Sequence, residues 1–186
     1  MNIHECIKVI IGLFLLNIIK ADEIDYFWSG AVTPERAVIS FASDKEAKIK
    51  IQYSESKNFK KNKRYTKTIS TNEDSHYFAK IQLESLKPNQ TYYYRFNING
   101  TLRKDQIGKF KTHNGKAFSY KVTMATCATT GSNNPVFDRI REENSQFYLM
   151  LGDFHYGDIR RDCEDNFLAY FRATLGSKKQ SRLYNN

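Results

Sequence analysis

The chain has 186 residues and a formal charge of +9, set by 29 Lys and Arg against 20 Asp and Glu. That length holds one ordinary domain or two small ones and excludes a large multidomain assembly within this polypeptide. Most of the basic excess lies in residues 45 to 67, with no aromatic residues interleaved at regular spacing, so the charge does not indicate a nucleic-acid groove.

The chain opens with an apolar run, residues 6 to 19, broken only by Lys8, Gly12 and Asn17 and bounded by Lys20, Ala21 and Asp22. It is short for a membrane span and has the pattern of a signal peptide over residues 1 to 21. A weakly basic start and the lack of a small-x-small cleavage pattern keep a signal anchor as the alternative. Cleavage leaves 165 of the 186 residues, a charge of about +8 and two cysteines, Cys127 and Cys163. The expected location is secreted or lumenal, with no stable membrane span after cleavage. In that oxidising setting the two cysteines are able to pair, and Cys127 is read either as a structural cysteine or as a free thiolate.

Residues 27 to 112 alternate apolar and polar positions in strand fashion. The segments 37–41, 47–53, 77–83, 91–97 and 108–112 are expected strands, with turns at Lys87-Pro88-Asn89 and Asn99-Gly100. Such spacing predicts an antiparallel sandwich over residues 22 to 113, its aromatic residues forming the core and Trp28 serving packing. Asn89-Gln90-Thr91 and Asn99-Gly100-Thr101 are N-glycosylation sequons in turns. The lysines of 45–67 are read as protection of an edge strand, or as attraction to anionic phosphoesters or an acidic cell surface.

After a linker at 113–116 the pattern changes to α/β. A strand is expected over 118–126, and then a helix capped by Asn134 with Pro135 at its first position and Val136, Phe137 and Ile140 as its buried stripe. A second strand follows at 147–151, then a helix over 164–175 with Phe167, Tyr170, Phe171 and Leu175 on one face and Gly176 as its stop. The strand-helix-strand order places Cys127 and Asp153 at adjacent strand ends. Two parallel strands leave that aromatic helix face partly bare, as in an amino-terminal fragment of a longer protein.

The turn after the second strand, Gly152-Asp153-Phe154-His155-Tyr156, carries the chemistry. Leu149, Met150 and Leu151 are expected to be buried, Gly152 permits a sharp turn, and Asp153 and Tyr156 face the strand end. Thiolate, carboxylate and phenolate together suit a trivalent metal beside a harder divalent one. The plainer reading is a turn in which Asp153 accepts backbone hydrogen bonds, with His155 an exposed loop residue.

The run Ala125-Thr-Cys-Ala-Thr-Thr-Gly-Ser-Asn-Asn-Pro-Val-Phe-Asp-Arg-Ile140, followed by Leu151-Gly-Asp-Phe-His-Tyr-Gly-Asp-Ile159, resembles the start of the catalytic domain of PhoD-type alkaline phosphatases and phosphodiesterases. These belong to the calcineurin-like metallophosphoesterases. The segments Phe27-Trp-Ser-Gly-Ala-Val-Thr-Pro34, Ala37-Val-Ile-Ser-Phe41 and Leu86-Lys-Pro-Asn-Gln-Thr-Tyr-Tyr-Tyr-Arg-Phe96 resemble the small fibronectin-like β-domain that precedes it. The resemblance implies a β-sandwich followed by the first unit of a metallophosphatase domain at 114–186, expected to be incomplete. It implies iron bound by Cys127 and Tyr156, and Asp153 bridging iron and calcium. Asp158 and His155 become candidates for orienting a ligand or touching substrate, and Ser132 and Asn133, with Thr129 and Thr130, for receiving phosphate oxygens. The implied substrate is a small phosphoester, with no specific nucleic acid. The later Asn, Asp and His ligands of the family are not found here, and His4, His76 and His113 do not take their place. The expectation is therefore a form that is inactive by itself; the alternative is a secreted, non-catalytic binding module.

Overall fold

The computed structural model describes residues 23–160 and 163–185; the expected signal peptide, with His4 and Cys6, lies outside the described residues. Eight strands build the first part: β1 (Ile24–Gly30), β2 (Ala37–Ser43), β3 (Ala47–Ser54), β4 (Arg64–Tyr65), β5 (Ile69–Thr71), β6 (Phe78–Leu83), β7 (Thr91–Ile98) and β8 (Thr101–Lys111). One sheet runs β1-β2-β6 and the other β4-β3-β7-β8, with β5 also paired to β3; all of these pairings are antiparallel. This is the expected fibronectin-like sandwich.

Alternation decides which side chains fill it. On β7, Tyr92, Tyr94, Phe96 and Ile98 are buried, while Thr91, Tyr93, Arg95 and Asn97 point outward. Phe96 sits at the middle of the core, with Phe27 at 5.0 Å and Phe41 at 5.2 Å between ring centroids, both edge-on. Burial of one such aromatic stabilises the sandwich by about 1.5 to 3 kcal/mol. The β7–β8 hairpin turns on Asn99 (φ 49) and Gly100 (φ 89), the pair of left-handed residues that a two-residue hairpin requires. Gly108 answers to packing instead: a Cβ there would stand 2.3 Å from the Tyr94 ring, its partner across the β7–β8 ladder.

The remaining elements form a small α/β unit: β9 (Val122–Ala125), α1 (Val136–Glu142), β10 (Phe147–Met150), α2 (Glu164–Leu175) and α3 (Lys178–Tyr184). β9 and β10 pair in parallel from Val122↔Phe147 to Ala125↔Met150. The Asn134 side chain accepts from the Val136 amide at 3.0 Å, and Pro135 stands just before the first helical residue in helical geometry. The unit is fastened to the sandwich through α2. Arg172 pairs with Asp25 on β1 and donates to the His76 carbonyl at 2.8 Å, while His76 Nε2 lies 2.8 Å from Glu164. The Lys109 amide donates to the Asn185 carbonyl at 3.1 Å, tying β8 to the end of α3.

Several expectations are corrected. Residues 118–121 are not strand, because they have no ladder partner; Phe118 and Tyr120 are exposed, Phe118 stacking on His113 and Tyr120 meeting Phe147 edge-on. Leu149 and Leu151 are exposed rather than buried, together with Met124 and Phe147, because no layer among the described residues covers that face of the two-stranded sheet. Val136 is exposed for a similar reason, and only Phe137 of its stripe is fully buried. Gly176 ends α2 in right-handed geometry (φ −87), and the chain enters the unexpected α3 two residues later. The first part of β8 and the short β4 and β5 were also absent from the expected strands, since none has a full alternating run.

Two outcomes follow from this packing. Gly108→Ala forces its new methyl into the Tyr94 ring and is expected to destabilise the sandwich by about 2 kcal/mol, seen as a lower midpoint in urea; an unchanged midpoint contradicts the Tyr94 placement. Arg172→Ala removes two charge-assisted contacts, about 1 to 2 kcal/mol of docking energy at this half-exposed site. Its α2 amides are expected to exchange hydrogen faster while those of β2, β3 and β7 keep their protection.

Candidate metal centre

The parallel pairing of β9 and β10 brings the two chains to the same level at Ala125 and Met150. Both then turn sharply. Cys127 (φ 61) and Asp153 (φ 47) adopt left-handed backbone that non-glycine residues seldom take, and Gly152 (φ 133) adopts one that effectively only glycine reaches. The Thr126 hydroxyl donates to the Gly152 carbonyl at 3.1 Å and so ties one turn to the other. Farther along, the Thr130 hydroxyl accepts from the Tyr156 amide at 2.8 Å.

These turns aim three side chains at one atom. Cys127 Sγ lies 3.3 Å from Asp153 Oδ2, and the Tyr156 hydroxyl lies 2.9 Å from the same oxygen. All three residues are exposed, with Tyr156 54% accessible. Contact with Cys127, and next with the Asp153 carboxylate, pushes the Tyr156 phenol above its ordinary range, so the phenol keeps its proton and donates it. A cation among these oxygens and the sulfur would reverse that preference and favour phenolate and thiolate.

The donor chemistry fits a metal in type. Phenolate and thiolate suit a ferric ion, and a carboxylate, which has two oxygens, is able to serve two ions. Among the described residues no group of three or more His, Cys, Asp and Glu is placed to hold a metal ion; the convergence rests on counting the Tyr156 phenol. Three donors are fewer than either ion ordinarily takes.

The other expected site residues stand elsewhere. His155 stacks on Tyr170 at 5.5 Å and meets Phe171 edge-on at 5.0 Å, and its Nδ1 accepts from the Gly157 amide, so it packs the turn against α2. Asp158 holds Arg160 at 2.8 Å. Ser132 Oγ accepts from the Asn134 amide, and Asn133 Oδ1 accepts from the Lys179 amide at 3.0 Å, which places both at the junction of α1 with α3. Cys163 is half-buried at the start of α2; both it and Cys127 are free thiols. Asn89 and Asn99 occupy exposed turns, Asn99 accepting from the Lys48 amide at 2.9 Å. Sequence reasoning missed Thr126, since a hydroxyl residue in a loop carries no spacing signal, and it offered Thr130 to phosphate, whereas its hydroxyl here accepts from the Tyr156 amide and orients the turn. It also missed a cleft of about 1180 Å³ between the sandwich and the α/β unit, lined by Trp28, Phe118, Tyr148, Phe154 and Tyr184 and separate from the three donors.

Residues 27–114 match the family model of the PhoD-like phosphatase N-terminal domain. The chain is similar to the solved structure of PhoD with a TM-score of 0.72 at 16% identity, covering 87% of this chain and 36% of that one. It therefore spans about a third of the length of that relative. It is also similar to the sensor domain of the anti-sigma factor RsgI4 in Pseudobacteroides cellulosolvens (TM-score 0.43, 20% identity, covering 52% of this chain and 79% of that one). Another likeness is to the chicken CNTN1 FN1-FN3 domains (TM-score 0.36, 14% identity, covering 47% of this chain and 30% of that one). No curated protein matches. Residues 27–114 thus carry the PhoD-like phosphatase N-terminal domain, and the sandwich with the strand-helix-strand unit behind it shares the fold of the corresponding part of PhoD.

Proposed function

We propose that this chain contributes to a PhoD-like, metal-dependent phosphoester hydrolase of the alkaline phosphatase and phosphodiesterase type. The observation that carries this reading is the convergence of Cys127 Sγ and the Tyr156 hydroxyl on Asp153 Oδ2 at 3.3 and 2.9 Å, at the ends of two parallel strands. The matched N-terminal family domain directly before those strands supports it. In this reading Cys127 and Tyr156 would hold iron, and Asp153 would lend its carboxylate to iron and to calcium. Such ions would supply Lewis acidity toward a phosphoryl group.

The chain's own residues supply the frame. Asp153 fixes the spacing of thiol and phenol, Thr126 and Thr130 hold the turns, and His155 locks the loop against α2. Asp158 acts at most on Arg160 and on the turn, and Ser132 and Asn133 act by seating α3. The proposed organisation is a leader at 1–21, the sandwich at 22–113 and the opening part of the metallophosphatase unit at 114–186. The leader and the sequons at Asn89 and Asn99 support a secreted glycoprotein. Among the described residues no helix is long and apolar enough to cross a membrane. The substrate is a small phosphoester, and no specific nucleic acid is involved. Because the three donors found among the described residues do not complete two ions, the chain by itself is expected to bind iron without turning over substrate. The non-catalytic binding module is the rival reading, favoured by the small donor set.

Ferric titration separates the two. Iron is expected to raise a visible phenolate-to-iron absorption band; Tyr156→Phe removes it, and Asp153→Asn weakens iron binding by at least roughly tenfold. A chain that binds no iron, or variants that bind it as the parent does, favours the binding module. In the longest natural product of this gene, hydrolysis of bis(4-nitrophenyl) phosphate is expected to fall about 100-fold or more on Asp153→Asn; full activity in that variant overturns the metal assignment.

A further inference from the structure

The outward face of the second sheet carries a row of cations that the donors at Asp153 do not use. Lys48 and Lys50 stand on β3, Arg95 on β7, and Lys109 and Lys111 on β8, each at a position whose neighbours along the strand point into the core. The ladder fixes their order. Lys48 lies beside Asn99 at one end of β7, Arg95 opposite Ile107 in the middle, and Lys111 opposite Thr91 at the other end. At about 3.4 Å per residue and about 4.8 Å per strand, the row runs diagonally for roughly 30 Å.

None of the four ammonium groups forms a salt bridge with a described residue, and the outward positions of β3, β7 and residues 107–111 hold no Asp or Glu. Lysines protect edges from aggregation, but β3 and β7 are interior strands with partners on both sides, so edge protection does not account for Lys48, Lys50 or Arg95. Like charges on one face repel, and the cost of keeping them together is offset when a polyanion lies across them.

We infer that this face binds a linear sulfated polysaccharide, laid along the diagonal from Lys48 to Lys111. The length favours a chain over a single small phosphoester, which spans only two of the cations. A bilayer fits poorly, since Ile107 is the single large aliphatic side chain that the row presents for insertion. Single-stranded nucleic acid fits less well, because the row offers few rings for successive bases: Arg95 lies over the buried Phe59 at 4.1 Å, Lys50 stands 5.3 Å from the centroid of the Tyr65 ring, and Tyr93 is half-buried opposite Lys109. What remains is recognition by spaced point charges, suited to a sugar chain with an anionic group on successive rings.

Heparin titration of the whole chain at 0.15 M salt, about physiological ionic strength, tests this. Replacing Lys48, Lys50, Lys109 and Lys111 by Gln is expected to weaken binding on the order of 100-fold, as four surface cations are lost. Replacing Lys57, Lys60, Lys61 and Lys63 of the exposed β3–β4 loop by Gln removes the same charge and is expected to cost less than about tenfold. Circular dichroism checks that both fold; should the face variant fail to fold, the four single Lys→Gln changes must each weaken binding. Affinity is expected to rise with heparin oligosaccharide length up to chains of roughly 30 Å. Absence of heparin binding, equal losses in the two variants, or tighter binding to phosphatidylserine vesicles or oligo-dT at the same salt overturns the inference.

Discussion

Four parallel pairs, from Val122↔Phe147 to Ala125↔Met150, set everything at the candidate metal centre. A slip of one residue would move Asp153 along its strand by about 3.3 Å and turn every side chain of that strand to the opposite face. With the register as it is, the two chains leave the sheet together and can be stitched by Thr126 to Gly152. The left-handed backbone at Cys127 and Asp153 is strained, and it persists because the shared oxygen, the threonine and the following helix all hold it.

The sandwich gives this short sheet its support. Two parallel strands do not bury enough surface to stand alone, and here one of their faces remains open, with Met124, Phe147, Leu149 and Leu151 exposed. Stability reaches the unit from the side, through α2 and α3 against the outer surface of β1. Tyr26 is buried there, and the lost solvation pushes its phenol above the ordinary range, with Arg172 countering and Asp25 adding to the shift. The tight aromatic core around Phe96 thus anchors a loop that packs weakly by its own means.

Much of this was legible in the residues. Strict alternation in Thr91-Tyr-Tyr-Tyr-Arg-Phe-Asn-Ile98 specifies a half-buried strand, and Asn99-Gly100 specifies the hairpin that follows. Cys127, Asp153 and Tyr156 were candidate donors from chemistry and resemblance, and the structure places the three side chains within hydrogen-bond reach of one another at Asp153 Oδ2. Burial was the quantity that misled. The run Tyr148-Leu-Met-Leu151 is apolar enough for an interior strand, but apolar composition states what a strand prefers and not whether a covering layer exists. His155 was misjudged in another way: its neighbours in sequence are candidate ligands, while its neighbours in space are Tyr170 and Phe171, fifteen or more positions away. The cation row escaped notice because its members come from three strands, and the lysine-rich segment drew attention to the loop instead.

The central claim is that Cys127, Asp153 and Tyr156 act as one ligand set. X-ray absorption at the iron edge of the ferric-loaded chain tests it most directly. The account predicts one sulfur scatterer among oxygen neighbours, lost on Cys127→Ser while the light-atom shell remains. An iron environment of oxygen and nitrogen alone, unchanged by that substitution, would contradict it.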